Sequence, residues 1–239
     1  MELHRSLKIR PAARIVALVG GGGKTTSLLA LAAEAAASGL RAAVMTTTHL
    51  GQPKRSGFYL LLSGDRDEAR QAWRQGLVVA TGQLAPDGRL LQPEQETWDF
   101  LLQEAEAIYV EADGSRMLPL KYPGAWEPAL PEEYDQVLLL TGLSALDKPV
   151  DDFCHRAALM RQELGVTQSI IDEELMARVL AAGYGRFDPT VIINQADTEE
   201  LAARGRKLAR CLAELGLRDS AVLSLHRLLG YPIKNGGLL

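Results

Sequence analysis

Residues 15–26, IVALVGGGGKTT, constrain this chain more than any other stretch. An apolar strand runs into four successive glycines, then a lysine and two threonines, then an alanine- and leucine-rich helix. Side chains would hold a pyrophosphate away from the main chain, whereas Gly20, Gly21, Gly22 and Gly23 let successive N–H groups turn inward toward its oxygens. The helix that follows adds its positive N-terminus. Lys24 then sits beside the outer phosphates as a point charge, the Thr25 hydroxyl is placed to ligate Mg²⁺, and Thr26 completes the loop. A turn that only joins a strand to a helix would leave the Lys-Thr-Thr run unexplained. The expected fold is therefore α/β of the P-loop nucleoside triphosphatase type, a mainly parallel sheet with helices on both faces.

The usual motif has a glycine six residues before the lysine, and this chain has Leu18 there, still in the strand. The loop is thus of the short form G-x-x-G-K-T. It also resembles the loop of the Mur-type ligases, so it fixes nucleotide phosphate binding more firmly than it fixes a family.

With 239 residues, 47% of them hydrophobic and 23% charged, the chain suits a single globular domain over 1–239. A net charge of −4 without a broad basic face gives no electrostatic reason to expect nucleic acid. No segment is apolar for long enough to span a bilayer. The first ten residues lack the apolar core and cleavage site of a secretory signal, so a cytoplasmic location is expected. Cys154 and Cys211 fall in no metal or disulfide spacing and read as reduced thiols.

After the first helix, expected over 24–38 and stopped by Gly39, a strand at 41–45 delivers Thr46, Thr47, Thr48 and His49 to the carboxyl edge of the sheet. Their hydroxyls and imidazole are in reach of Mg²⁺, the attacking water or the phosphates, with Thr47 as a candidate metal ligand. A run of β-formers closing a strand is an equal reading. Residues 51–105 look like an insertion between core strands. It holds a strand at 59–62, a helix at 65–75, a hairpin of 77–81 and 89–91 turning at Pro86-Asp87-Gly88, and a helix at 94–104.

Residues 107–115, AIYVEADGS, form an apolar strand ending in two carboxylates and a glycine. In P-loop enzymes a carboxylate there holds a Mg²⁺-bound water. Strand alternation puts Glu111 and Asp113 on one side of the chain, so both can address one metal. Four prolines between 116 and 133 predict a stiff irregular loop that could serve as a lid or a partner surface. A buried strand at 136–141 follows, and then the Cys154-His155-Arg156 cluster, which supplies at most half of a tetrahedral metal site. Asp172 should cap a helix that stops at Gly183. A strand from 190 then ends in Asn194-Gln-Ala-Asp197, close to the N-K-x-D guanine-recognition motif, and a helix over 198–215 and a strand at 221–225 complete the sheet.

Taken together, VGGGGKTT (19–26), TTTH (46–49), VEADGSR (110–116) followed by Pro119-Leu-Lys121, GLSALDKP (142–149) with His155-Arg156, and Asn194-Gln-Ala-Asp197 resemble the selenium-dependent hydroxylase accessory proteins of the YqeC type. The resemblance spans nearly the whole chain. It implies a role in selenium cofactor biosynthesis for molybdenum hydroxylases, with such a hydroxylase or a selenium-donating protein as partner, and it leaves room for a homodimer. Gln195 departs from the lysine of that family. The short loop, the acidic strand and N-x-x-D also look like the GTPases that load nickel into urease and hydrogenase, although their Cys-Pro-His metal motif is missing here.

The expected activity is binding and slow hydrolysis of Mg·GTP, with ATP as the alternative nucleotide. Lys24 and the glycine amides hold phosphates, Thr25 and Glu111 or Asp113 hold Mg²⁺, and Asn194 and Asp197 hold the base. Arg116 is the nearest candidate for transition-state charge, by position only. A ligase or small-molecule kinase built on the same loop, and a nucleotide-gated adaptor with negligible turnover, remain open alternatives.

Overall fold

A computed structural model describes residues 1–230 of the chain, which divide into two compact units. The first takes in residues 1–19, 24–114 and 125–138; the second takes in 20–23, 115–124 and the chain from 139 onward.

The first unit contains α1 (Glu2–Ser6), β1 (Ile15–Gly20), α2 (Lys24–Ala37), β2 (Ala42–Thr46), β3 (Phe58–Leu61), α3 (Arg66–Arg74), β4 (Val78–Thr81), α4 (Gln95–Glu104) and β5 (Ala107–Glu111). Its strands lie in the order β1-β5-β2-β4-β3, all parallel. β1, β2, β4 and β5 are buried along their whole length, as continuous apolar runs require when both sheet faces are covered. In register, Leu18 and Thr46 both pair with Glu111, so β2 and β5 end level at the carboxyl edge and β1 runs two residues beyond them to Gly20. The core below that edge is aromatic: Trp73 stacks on Phe100 with ring centroids 5.9 Å apart, and Trp98, Met45, Val79 and Val110 join the same cluster.

The chemistry of the ends decides where these helices begin and stop. Asp65 caps α3 by accepting from the N–H groups of Asp67 and Glu68. α2 closes at Gly39, whose φ of +86° is open to glycine, and the Leu40 N–H returns to the Ala35 carbonyl at 3.1 Å. α1 has no periodic signal and is held by tertiary contacts. The N–H groups of Leu3 and His4 donate to Glu34 of α2 at 2.8 and 3.0 Å, His4 Nδ1 also donates to Glu34, and His4 Nε2 shares a 2.5 Å hydrogen bond with the Tyr109 hydroxyl of β5.

Residues 51–105 thus contribute two strands parallel to β2 and two helices. The expected hairpin is narrower than its sequence pattern. Leu84 and Leu90 pair antiparallel around Pro86-Asp87-Gly88, while Val78–Thr81 belongs to the parallel sheet because its four apolar or small residues are buried there.

The second unit contains β6 (Leu120–Lys121), the end of β7 (Gln136–Gly142), α5 (Val150–Phe153), β8 (Cys154–His155), α6 (Ala157–Leu164), α7 (Glu173–Tyr184), β9 (Thr190–Asn194), α8 (Glu199–Glu214), β10 (Ser220–Val222) and α9 (Leu225–Leu228). The strand order is β7-β9-β10, with β9 and β10 parallel, and β6 pairs with β8 in a separate parallel ribbon. Asp172 does cap α7, accepting from the Leu175 N–H at 2.8 Å. The helix nevertheless continues through Gly183. A side chain there would come within 2.5 Å of Pro123 Cδ, so this glycine permits close packing instead of ending the helix. The last strand is shorter than the expected 221–225, because Ser224 leaves it to cap α9.

Candidate functional site

The glycine run leaves β1 and enters α2 at Lys24. Within the second unit the glycines are pressed against main chain: a Cβ on Gly20 would lie 2.2 Å from the Leu140 carbonyl oxygen, one on Gly21 2.4 Å from that of Leu118, and one on Gly22 2.3 Å from the Gly142 nitrogen. Gly22 also has φ +71°. The quartet is therefore required by packing as well as by any ligand, and the Gly21 N–H donates to the Leu140 carbonyl at 2.9 Å.

In the first unit, α2 and β5 bring four of the expected residues together. Thr25 Oγ1 donates to Glu111 Oε2 at 2.8 Å, and Lys24 and Asp113 both act electrostatically on Glu111. Lys24, Glu111 and Asp113 are buried. Burial pushes the Glu111 carboxyl above the ordinary carboxylate range; Lys24 and the Thr25 hydroxyl pull it back, and Asp113 adds to the rise. The donor set is a hydroxyl and two carboxylates, hard oxygens that suit Mg²⁺, an ion that takes one or two carboxylates and completes its shell with water and substrate phosphates. Among the described residues no group of three or more His, Cys, Asp or Glu is placed to hold a metal by itself. The chemistry fits a metal that arrives with a nucleotide.

The threonine run behaves mainly as structure. Thr46 Oγ1 donates to the Glu111 carbonyl at 2.9 Å and accepts from the Thr48 N–H at 3.0 Å. The Thr47 hydroxyl, a candidate metal ligand from sequence, donates to the Ala129 carbonyl at 2.5 Å. Arg116 is exposed on a turn closed by the Leu118 N–H on the Ser115 carbonyl, with φ +50°, and Met117 follows with φ +63° and 99% exposure. Two successive left-handed residues without glycine store strain at the turn after the acidic strand.

In the second unit the end of β9 is a dense hydrogen-bonded knot. Asn194 Nδ2 donates to the Gly22 carbonyl at 2.8 Å and its Oδ1 accepts from the Leu225 N–H at 3.0 Å, so both ends of the amide are spent on the loop and on α9. Gln195, at φ +70°, accepts from the Ser144 N–H at 3.0 Å. Asp197 Oδ1 accepts from the Ser224 hydroxyl, and Arg227 Nη2 donates to the Asp197 carbonyl at 2.5 Å. Of the two residues expected to hold a base, Asp197 presents a carboxylate and Asn194 acts as a brace.

The YqeC protein family profile matches residues 16–158, more than half of the chain. The chain belongs to the YqeC family. No curated protein sequence matches it. Solved structures similar to this YqeC-family chain include the hydrogenase maturation factor HypB from Archaeoglobus fulgidus, at 12% identity and TM-score 0.38, with 94% of this chain and 84% of that one covered. The signal recognition particle receptor FtsY from Elizabethkingia anophelis is 15% identical at TM-score 0.38, with coverage of 92% and 63%. HypB from Helicobacter pylori, in complex with nickel, is 13% identical at TM-score 0.43, with coverage of 99% and 96%.

Sequence reasoning missed Ser224, which both caps α9 and holds Asp197. Its signal was available, a serine two residues after a short half-buried strand that opens a short helix. In the Cys154-His155 pair of this YqeC-family chain, Cys154 is buried in β8 and burial pushes its thiol up to about 12.

Proposed function

We propose that this chain binds and hydrolyses Mg·GTP, and that as a YqeC-family protein it acts as an accessory factor in making or inserting a selenium-containing cofactor of molybdenum hydroxylases. The observation that carries the nucleotide reading is the contact of Thr25 with Glu111 beside buried Lys24, which ties the first turn of α2 to the end of the acidic strand. Lys24 and the amides that open α2 would hold the outer phosphates; Thr25 and Glu111 or Asp113 would hold Mg²⁺. When bound, the metal neutralises charge developing on the transferred phosphoryl group. Asp197 reads the base, with Ser224 fixing its carboxylate and Asn194 bracing the loop. The selenium role rests on the family resemblance.

Competition among GTP, ATP and XTP, with phosphate release measured in parallel, tests the reading. The Asp197 carboxylate, which already accepts from the Ser224 hydroxyl, would accept further from N1–H and the exocyclic amine of guanine, whereas adenine offers it no donor there. Hydrogen bonds to a charged acceptor are worth about 1.5–3 kcal/mol, so GTP is expected to bind at least about tenfold tighter than ATP. Asp197→Asn presents a donor and moves preference toward XTP. Equal GTP and ATP binding by the parent would return the chain to the ligase or kinase class.

A further inference from the structure

The second unit holds three features that the sequence marks and the nucleotide reading leaves without a role: Pro119, the turn at 142–144 after β7, and Gln195 at the end of β9. They meet at one place. The Gly142 N–H donates to the Pro119 carbonyl at 2.9 Å, and the Ser144 N–H donates to Gln195 Oε1 at 3.0 Å. Between those two bonds the Gln195 carboxamide rests on the Gly142 main chain, where a Cβ would come within 2.3 Å of Oε1 and 2.9 Å of Cδ. The same glycine backs the phosphate loop: a Cβ on Gly22 would lie 2.3 Å from the Gly142 nitrogen and 2.6 Å from its Cα.

Gly22 is thus held by two consecutive residues of one strand end. Asn194 takes its carbonyl directly, and Gln195 fixes Gly142, against which it packs. Gln195 is half-buried at φ +70°, a left-handed backbone that a residue with a side chain keeps only where its surroundings over-determine it. The bond from Ser144 also assigns the amide, because an N–H must be met by the oxygen end. Lysine, the residue of the guanine-recognition motif at this position, has three donors and no acceptor and could not hold that turn. The acceptor of residue 195 is therefore spent on the wall behind the phosphate loop.

We propose that Gln195 is a positioning residue for the triphosphate. It acts through Gly142 on Gly22, so its loss weakens the hold on phosphates whatever base is attached, and the choice of base stays with Asp197. The inference rests on the nucleotide reading above and gives position 195 a task that the motif does not.

Isothermal titration of the full chain with Mg²⁺ and inorganic tripolyphosphate, GTP or ATP tests it. Gln195→Met keeps the length of the side chain and removes the acceptor. At the worth of one neutral hydrogen bond it should bind all three about three- to tenfold more weakly, with the GTP to ATP ratio unchanged and a melt as cooperative as the parent's. In phosphate release it should raise KM for GTP by a similar factor and leave kcat within about twofold, as loss of binding shared by ground and transition states does. Gly142→Ala reaches the same contact from the turn: its φ of −107° accepts alanine, and the methyl group would displace Gln195 Oε1. The two changes act on one contact and should not add. Unchanged tripolyphosphate affinity in Gln195→Met, a shifted GTP to ATP ratio, or additive losses would overturn the proposal while leaving the nucleotide reading in place. A parent that binds neither tripolyphosphate nor nucleotide would overturn both.

Discussion

Asn194 and Glu111 show how single side chains divide the work. Asn194 spends its donor on the Gly22 carbonyl and its acceptor on the Leu225 N–H, so Asn194→Ala orphans both. At about 1–3 kcal/mol for each buried group left unsatisfied, the variant should lose at least about 2 kcal/mol in urea unfolding. Nucleotide affinity should drop while the GTP to ATP ratio stays, in contrast to Asp197→Asn; a changed ratio would show that Asn194 touches the base. At Glu111 the sign of the pH effect follows from burial. A carboxyl whose value is raised takes up its proton at a higher pH than a free glutamate, and Mg²⁺ needs the ionised form. Mg²⁺ affinity should therefore fall as pH drops, beginning above the ordinary value of about 4.3. Titrations of Mg²⁺ dependence across pH, flat in Glu111→Gln, check this.

At the scale of elements, α7 and α8 are joined by charge as well as by apolar side chains. Arg204 of α8 donates to Glu173 of α7 at 2.6 Å and also pairs with Asp147, and Lys207 reaches Glu173 at 3.2 Å. Despite the burial of Glu173, its bonds to Arg204 and Lys207 hold its carboxyl below the ordinary range, and the Arg204 guanidinium does the same for Asp147. A lowered folded value contributes stability that is present above the unfolded value and is lost as pH falls through the folded one. Arg204→Ala leaves Glu173 buried with Lys207 alone and should cost about 3 kcal/mol at neutral pH, the scale of a broken buried pair. The gap between parent and variant melting curves should persist to about pH 4 and close only below it. A gap that closes near pH 6 would point to a histidine instead.

For the whole molecule, the family match and the folding unit do not coincide. The match ends at residue 158, before β9 and Asn194. β9 is buried throughout and lies between β7 and β10, and Asn194 braces Gly22 of the phosphate loop. A chain ending at residue 158 would bare the apolar edge of β7 and release that loop. It should show no cooperative melt and no nucleotide binding by fluorescence. A sharp transition with binding retained would mean that the matched region folds alone.

The strands at β1, β2, β5, β7 and β9, the glycine quartet and the paired acids were all legible in the chain, because buried parallel strands are continuous apolar runs and a phosphate loop needs glycine before lysine. Local pattern also marked the cap Asp172. It could not show that Gly183 continues a helix against Pro123, that Thr47 turns to Ala129, or that Asn194 is a brace. Each of those depends on a partner distant in sequence, at separations of 60, 82 and 172 residues, which no periodicity encodes. The sequence determined which residues arrive at the carboxyl edge of the sheet. The tertiary structure decided which of them are consumed in holding it together, because a buried polar group takes whichever partner the packing brings within hydrogen-bonding distance.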